Sequence, residues 1–183
     1  MTVNVYLEGG PLLRPAMKAF LLGAVNAIHH QSVVLNVIPC GSGDDAIRKC
    51  RRDSNAVLLV DSEGVLTTQL ADRVAGQVGG DNSAFFMVQL MEAWFLADRP
   101  TLGAYYGATF NAGRLPGNPN IEDIPKPDVE RGLRNATRRC SKGAYNKTTH
   151  APRLLELINP PAVYNACPNF ARLIDFLRGQ DPD

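Results

Sequence analysis

The chain has 183 residues, of which 45% are apolar and 20% charged, and a formal charge of +1 at pH 7. These are ordinary globular values, so only the distribution of charge can speak about partners. The four cysteines (Cys40, Cys50, Cys140, Cys167) form no C-x-x-C pair, which argues for reduced thiols and against a zinc site. The first residues carry no basic n-region and no cleavage pattern. The longest apolar segment, 19–28, is too short to span a bilayer and contains Asn26. A cytoplasmic protein without a membrane segment is the expectation, and no repeat or low-complexity tract stands out.

In chain order, residues 3–7 form a short apolar strand candidate that ends in Glu8, Gly9 and Gly10. Residues 11–29 read as a helix, with Leu13, Met17, Phe20, Leu21, Ala24 and Ile28 at helical spacing. Pro11 and Pro15 place its true start near Arg14. His29 and His30 at its end suit the helix dipole better than a metal. Residues 33–38 are a second strand candidate. The loop 39–43 follows, and Ser42 or Asp44 can cap a helix over 45–52. That helix carries Arg48, Lys49, Arg51 and Arg52, which read as a solvated face. Residues 56–60 are a third strand, 67–78 a helix stopped by the glycines at 79 and 80, and 84–88 a fourth strand. Strands and helices alternating with short connections predict a parallel sheet.

After Val88 the pattern changes. Residues 89–98 look like a short helix stopped before Pro100, apolar on most sides. Glu92 is the exception, and a carboxylate in such company needs a basic side chain, a backbone N–H or a metal. Residues 101–106 add a helical turn or two. Residues 107–127 are rich in Gly, Pro and Asn and read as a long irregular loop. A helix over 128–139 follows, and 126–153 is the most basic stretch of the chain, including Arg131, Arg134, Arg138, Arg139 and Lys142. Residues 153–158 are helical, Pro160 and Pro161 break the chain, and 169–178 close it as an amphipathic helix with a frayed tail after 179. The expected organisation is an α/β core over 1–90 and a mainly helical extension over 91–183 packed on it.

The stretch that organises this chain is Val57-Leu58-Leu59-Val60-Asp61-Ser62-Glu63-Gly64. A continuous apolar run suits a strand buried on both faces. The carboxylates then fall at its C-terminal end, where open α/β sheets place their sites. Asp61 and Glu63 are two apart, so extended backbone would point them the same way. Glu8 ends the first strand and joins them if the first and third strands are neighbours. Hard oxygen donors without His or Cys favour Mg²⁺ or Mn²⁺.

A glutamate after strand one and an acidic pair after strand three of a βαβαβαβ unit resemble the Toprim superfamily, the catalytic domain of topoisomerases, bacterial primases and nucleases of the overcoming-lysogenization-defect type. The residues are Glu8-Gly9 and Asp61-Ser62-Glu63. In the second half, Met91-Glu92-Ala93-Trp94-Phe95-Leu96-Ala97-Asp98, Tyr145-Asn146-Lys147-Thr148-Thr149-His150 and Cys167-Pro168-Asn169-Phe170 resemble a family of small bacterial Toprim-like proteins, often encoded beside an ABC-type or AAA-type ATPase. The resemblance implies metal-dependent phosphoryl transfer. Glu8 would be the general acid/base, and Asp61 and Glu63, with Glu8, would hold Mg²⁺ or Mn²⁺. Lys147 and His150 would contact a phosphate or assist proton transfer, with Glu92 as a candidate additional acid. The departure is Glu63, where the common motif has aspartate.

Three functions compete at this level. One is a nuclease acting on DNA or RNA, with Arg131, Arg134, Arg138, Arg139 and Lys142 on the phosphates, serving as effector of an ATPase in bacterial defence or repair. The second is a catalytically degenerate Toprim-fold subunit that binds or regulates such an ATPase. The third is a nucleotide-binding protein using Gly41-Ser42-Gly43 at a helix N-terminus, a signal lacking the G-x-G-x-x-G pattern.

Overall fold

A computed structural model describes residues 2–79 and 83–179. Strands and helices alternate through β1 (Thr2–Glu8), α1 (Leu13–His29), β2 (Val34–Cys40), α2 (Gly43–Cys50), β3 (Val57–Asp61), α3 (Thr68–Val78) and β4 (Ser83–Met87). The strands form one parallel sheet in the order β2-β1-β3-β4. The fold class is therefore the expected one: an α/β parallel sheet flanked by helices, with a mainly helical second half. The glycine break at 80–82 and the tail after 179 lie outside the described residues.

Why the sheet is buried on both faces is plain from β3. Val57 and Leu59 join one apolar cluster with Val3, Val5, Leu7, Leu35 and Val37, covered by α1 and the second half of the chain. Leu58 and Val60 face the other way, into a cluster with Ala46 and Cys50 of α2 and Val74 and Val78 of α3. The period of two along a strand sorts the run between the two layers. Pro39 sits within β2, an edge strand, where a missing N–H costs the ladder little. Gly9, at φ 143°, follows β1 in a backbone conformation that residues with a Cβ rarely adopt, so the turn into α1 favours glycine.

The second half departs from the sequence reading in four places. Residues Met91–Asp98 are a 3-10 helix, and α4 (Arg99–Tyr106) starts directly after it with Pro100 in its first turn, where no N–H is needed. Pro160 and Pro161 likewise open a helix, α7 (Pro160–Ala166), rather than only breaking the chain. Between these, the region 107–127 holds two short 3-10 turns, Ala112–Arg114 and Ile121–Asp123. α5 (Lys126–Thr137) follows, and α6 (Lys147–Leu157) begins six residues before the expected 153. Asn146 caps α6 by accepting from Thr148 N and Thr149 N. α8 (Pro168–Arg178) packs on β4 and α1.

Both halves share one core. Trp94 packs against both Phe20 of α1 and Phe170 of α8, with ring centroids 5.7 and 4.9 Å away, and the two phenylalanines stack on each other at 5.3 Å. Among the described residues no helix is long and apolar enough to cross a membrane.

Candidate functional site

β1 and β3 are hydrogen-bonded neighbours, with Val5 opposite Val57 and Leu7 opposite Leu59. Glu8 and Asp61 therefore leave the sheet at the same edge, as the sequence reading required. Asp61 is almost fully buried, at 5% side-chain exposure. Its Oδ1 accepts from Met91 N at 2.9 Å, and its Oδ2 lies 3.6 Å from Lys147 Nζ. Burial pushes its carboxyl up to about 7, with Glu92 and Glu8 adding to the rise and Lys147 and the Met91 N–H opposing it.

The 3-10 helix after β4 delivers Glu92 to the same place. This side chain is 3% exposed. Its Oε1 accepts from Tyr145 Oη at 3.1 Å, while Oε2 lies 3.4 Å from Lys147 Nζ and makes no hydrogen bond. Lys147, at the start of α6, thus stands between two buried carboxylates without closing a tight bond to either. Burial works against its charge, but Glu92 and Asp61 outweigh that and raise its pKa.

Glu63 behaves differently, and the expectation that Asp61 and Glu63 point the same way is corrected. Glu63 adopts φ 61°, so the backbone is not extended there and the period of two fails. Its side chain is 57% exposed and ion-paired with Lys126 at the N-terminus of α5. Gln89, after β4, is left-handed too, at φ 65°. The two are locked together: Glu63 N donates to Gln89 O at 3.1 Å, Gln89 N donates to Ser62 Oγ at 2.8 Å, and Lys126 N donates to Gln89 Oε1 at 3.1 Å. Two non-glycine residues in the left-handed region, over-determined by a buried network, are stored strain at the sheet edge.

Glu8 is half-buried. Its pKa is raised by burial and then by the Glu63 charge, against the pull of Lys147, Lys126 and a backbone hydrogen bond from Asp61. A Cβ on Gly43 would sit 3.2 Å from Glu8 Oε2, so the glycine lets α2 close on this carboxylate. Glu8, Gly43, Asp61, Glu63, Arg73 and Phe86 help line a cleft of about 340 Å³ between α2 and α3. Phosphate binding at Gly41-Ser42-Gly43 is not favoured there. Ser42 Oγ caps α2 through Asp45 N, and Asp44 and Asp45 put two carboxylates in its first turn.

The other predicted residues lie elsewhere. His150 is buried among Tyr105, Tyr106 and Tyr145. Its Nδ1 is shared with Tyr106 Oη at 2.9 Å, and burial, then Lys142, lowers its pKa. It therefore backs Tyr145 rather than reaching Asp61 or Glu92. Arg131 is ion-paired with Asp128 at 2.5 Å, and Lys142 lies over the Tyr105 ring. Arg134, Arg138 and Arg139 are exposed on or just after the far end of α5. Sequence reasoning missed Tyr145, Gln89 and Ser62. Tyr145 stood in the segment 145–150 that carries the resemblance, but the partners expected for Glu92 were a basic side chain, a backbone N–H or a metal, not a phenol.

A family model described as a domain of unknown function, DUF4276, matches residues 12–178. The chain belongs to this family. No curated protein and no solved structure matches it.

Proposed function

We propose that this member of the DUF4276 family is a metal-dependent phosphodiesterase of Toprim type that acts on nucleic acid, the effector partner of an ATPase in bacterial defence or repair. One observation carries the chemical part: Asp61 and Glu92 flank Lys147 at the C-terminal sheet edge, with Glu8 near enough for its charge to raise the Asp61 carboxyl and one buried Glu92 oxygen lacking a hydrogen bond. The nucleic-acid substrate and the ATPase partner rest on the resemblance.

A divalent cation fits this edge by donor chemistry and charge. Four carboxylates (Glu8, Asp61, Glu63, Glu92) face two ammonium groups (Lys126, Lys147), and Glu92 Oε2, which has the Lys147 ion pair but no hydrogen bond, is a hard donor. Among the described residues no three acidic, His or Cys side chains are already gathered at ligand spacing. Asp61 and Glu92, the pair Lys147 bridges, are the residues that would hold the ion, with Glu8 beside them. Bound there, Mg²⁺ or Mn²⁺ would polarise a phosphoryl oxygen and activate water.

The chain's own groups have defined tasks in this reading. Met91 N and Tyr145 Oη fix Asp61 and Glu92. Lys147 offsets their charge and presents an ammonium to a phosphoryl oxygen. Glu8, with its raised pKa and its place on the cleft, takes a proton from the attacking water or gives one to the leaving oxygen.

The test is cleavage of supercoiled DNA and of RNA with Mg²⁺ or Mn²⁺. Glu8→Gln should lower cleavage by about 100-fold or more with folding unchanged. If Glu8→Gln cuts as well as the wild type, the role given to Glu8 is wrong. The second reading, a degenerate subunit, is favoured by Glu63 turning away to Lys126. Copurification of an ATPase with a wild-type chain that cleaves nothing would select it.

A further inference from the structure

The far end of α5 carries a second built feature of opposite character. Thr109, Asn111, Arg114, Asn135, Arg138 and Arg139 line a cavity of about 280 Å³ with no carboxylate in its wall. Among the described residues, the guanidinium groups of Arg114, Arg138 and Arg139 make no ion pair. Three unneutralised arginines around one concavity repel one another and leave a concentrated positive field. Guanidinium forks, two amides and a hydroxyl are the donor set that recognises a phosphate.

The wall is held in place. Asn111 N donates to Ala136 O at 3.0 Å, tying the turn to the end of α5. Arg99 bonds Pro116 O from below. A Cβ on Gly132 would fall 2.6 Å from Pro116 Cδ and 3.5 Å from Arg114 O, so the segment bearing Arg114 lies flat on α5 only because residue 132 is glycine. Arg114 is thereby held opposite Arg138 and Arg139 rather than left on a free loop.

We propose that this arginine cavity is a phosphate-binding site separate from the acidic sheet edge. From Lys126, which touches Glu63, to Arg138 is about 18 Å along a helix rising 1.5 Å per residue. The two sites therefore cannot share one phosphoryl group. The ligand is a phosphate carried by a free nucleotide or by a nucleic-acid strand. The assignment does not depend on the phosphodiesterase reading, because it concerns binding at residues outside the acidic edge.

The experiment is binding to the full chain in EDTA, so that no metal-dependent cleavage intervenes. The probes are inorganic phosphate, AMP, and a labelled 12-nucleotide strand with and without a 5′-phosphate. Arg138→Ala and Arg139→Ala should each weaken binding by about tenfold, the loss of one charge-assisted hydrogen bond to phosphate. Arg153→Ala, on α6 and already paired with Glu156, should change it less than twofold. Gly132→Ala removes no charge yet should weaken binding by displacing Arg114. AMP binding that depends on these arginines assigns the site to free nucleotide, and strand binding without AMP binding assigns it to nucleic acid. Both outcomes support a phosphate site. Binding by none of the probes, or binding indifferent to Arg114→Ala, Arg138→Ala and Arg139→Ala, overturns it.

Discussion

The two ends of α5 treat charge in opposite ways. At its N-terminus, Lys126 and the neighbouring Lys147 are each committed to carboxylates, two of them buried, and the backbone at Glu63 and Gln89 is held in a strained form. Past its C-terminus, Arg114, Arg138 and Arg139 are exposed, and none of them is in an ion pair among the described residues. The first region has spent its electrostatics on holding itself together; the second keeps its charge available. Substitutions at the acidic edge should therefore change stability as well as function, whereas removing one of the cavity's arginines should change binding alone.

The largest effect should come from Lys147→Met. It leaves Asp61 and Glu92 buried without their shared cation, and denaturant unfolding at pH 8 should show a loss of about 2–3 kcal/mol, below the full cost for a pair because Lys147 is half exposed. Adding Glu92→Gln to that variant should recover part of the loss. Unchanged stability in Lys147→Met would remove the distinction between the two regions.

A second effect is pH-dependent. The Asp61 carboxyl is raised from 3.8 to about 7, so the proton binds the folded state more tightly than the unfolded one. Its contribution is full below the unfolded value and is lost as pH rises through 7. In EDTA, the stability of the wild type relative to Asp61→Asn should fall between pH 4 and 7, and a flat difference would contradict it. The arginine cavity titrates nowhere in this range.

Next in size is Gly132→Ala, where the added methyl meets a proline ring that cannot swing aside. About 1–2 kcal/mol of destabilisation is expected, from overpacking. The smallest effect should be that of Arg114→Ala, Arg138→Ala and Arg139→Ala, each within about 0.5 kcal/mol of the wild type. A loss above that would mean these arginines also serve the fold.

How legible each region was follows from how local its determinants are. The run from Val57 to Val60 announced a strand covered on both faces, and its side chains divide between the two layers as that reading requires. Glu92 was legible as a buried charge in need of partners, since its neighbours Met91, Trp94 and Phe95 are apolar. Its partners, Lys147 and Tyr145, come from more than fifty residues away, and no local pattern names them. Glu63 was misread because alternation assumes extended backbone, and its left-handed turn is imposed by Gln89 across the sheet edge. Pro160 was read as a breaker because a proline ends one helix and begins another with the same chemistry. The basic stretch was visible as composition, but that Arg138 and Arg139 share a cavity with Arg114 depends on the fold of the turn at 112–114.

Trp94 offers a different kind of access to the molecule. It is the chain's single tryptophan, and it lies fully buried where α1, the 3-10 helix and α8 meet. Its emission in the native state should be blue-shifted and weakly quenched by added iodide. Because the indole sits on the seam between the sheet-bearing half and the helical half, its red shift marks the moment that seam opens. If fluorescence and far-ultraviolet dichroism trace one unfolding curve, the halves melt as a unit. If the tryptophan signal moves first, the helical half detaches while the sheet persists, and the chain carries its own gauge of that event.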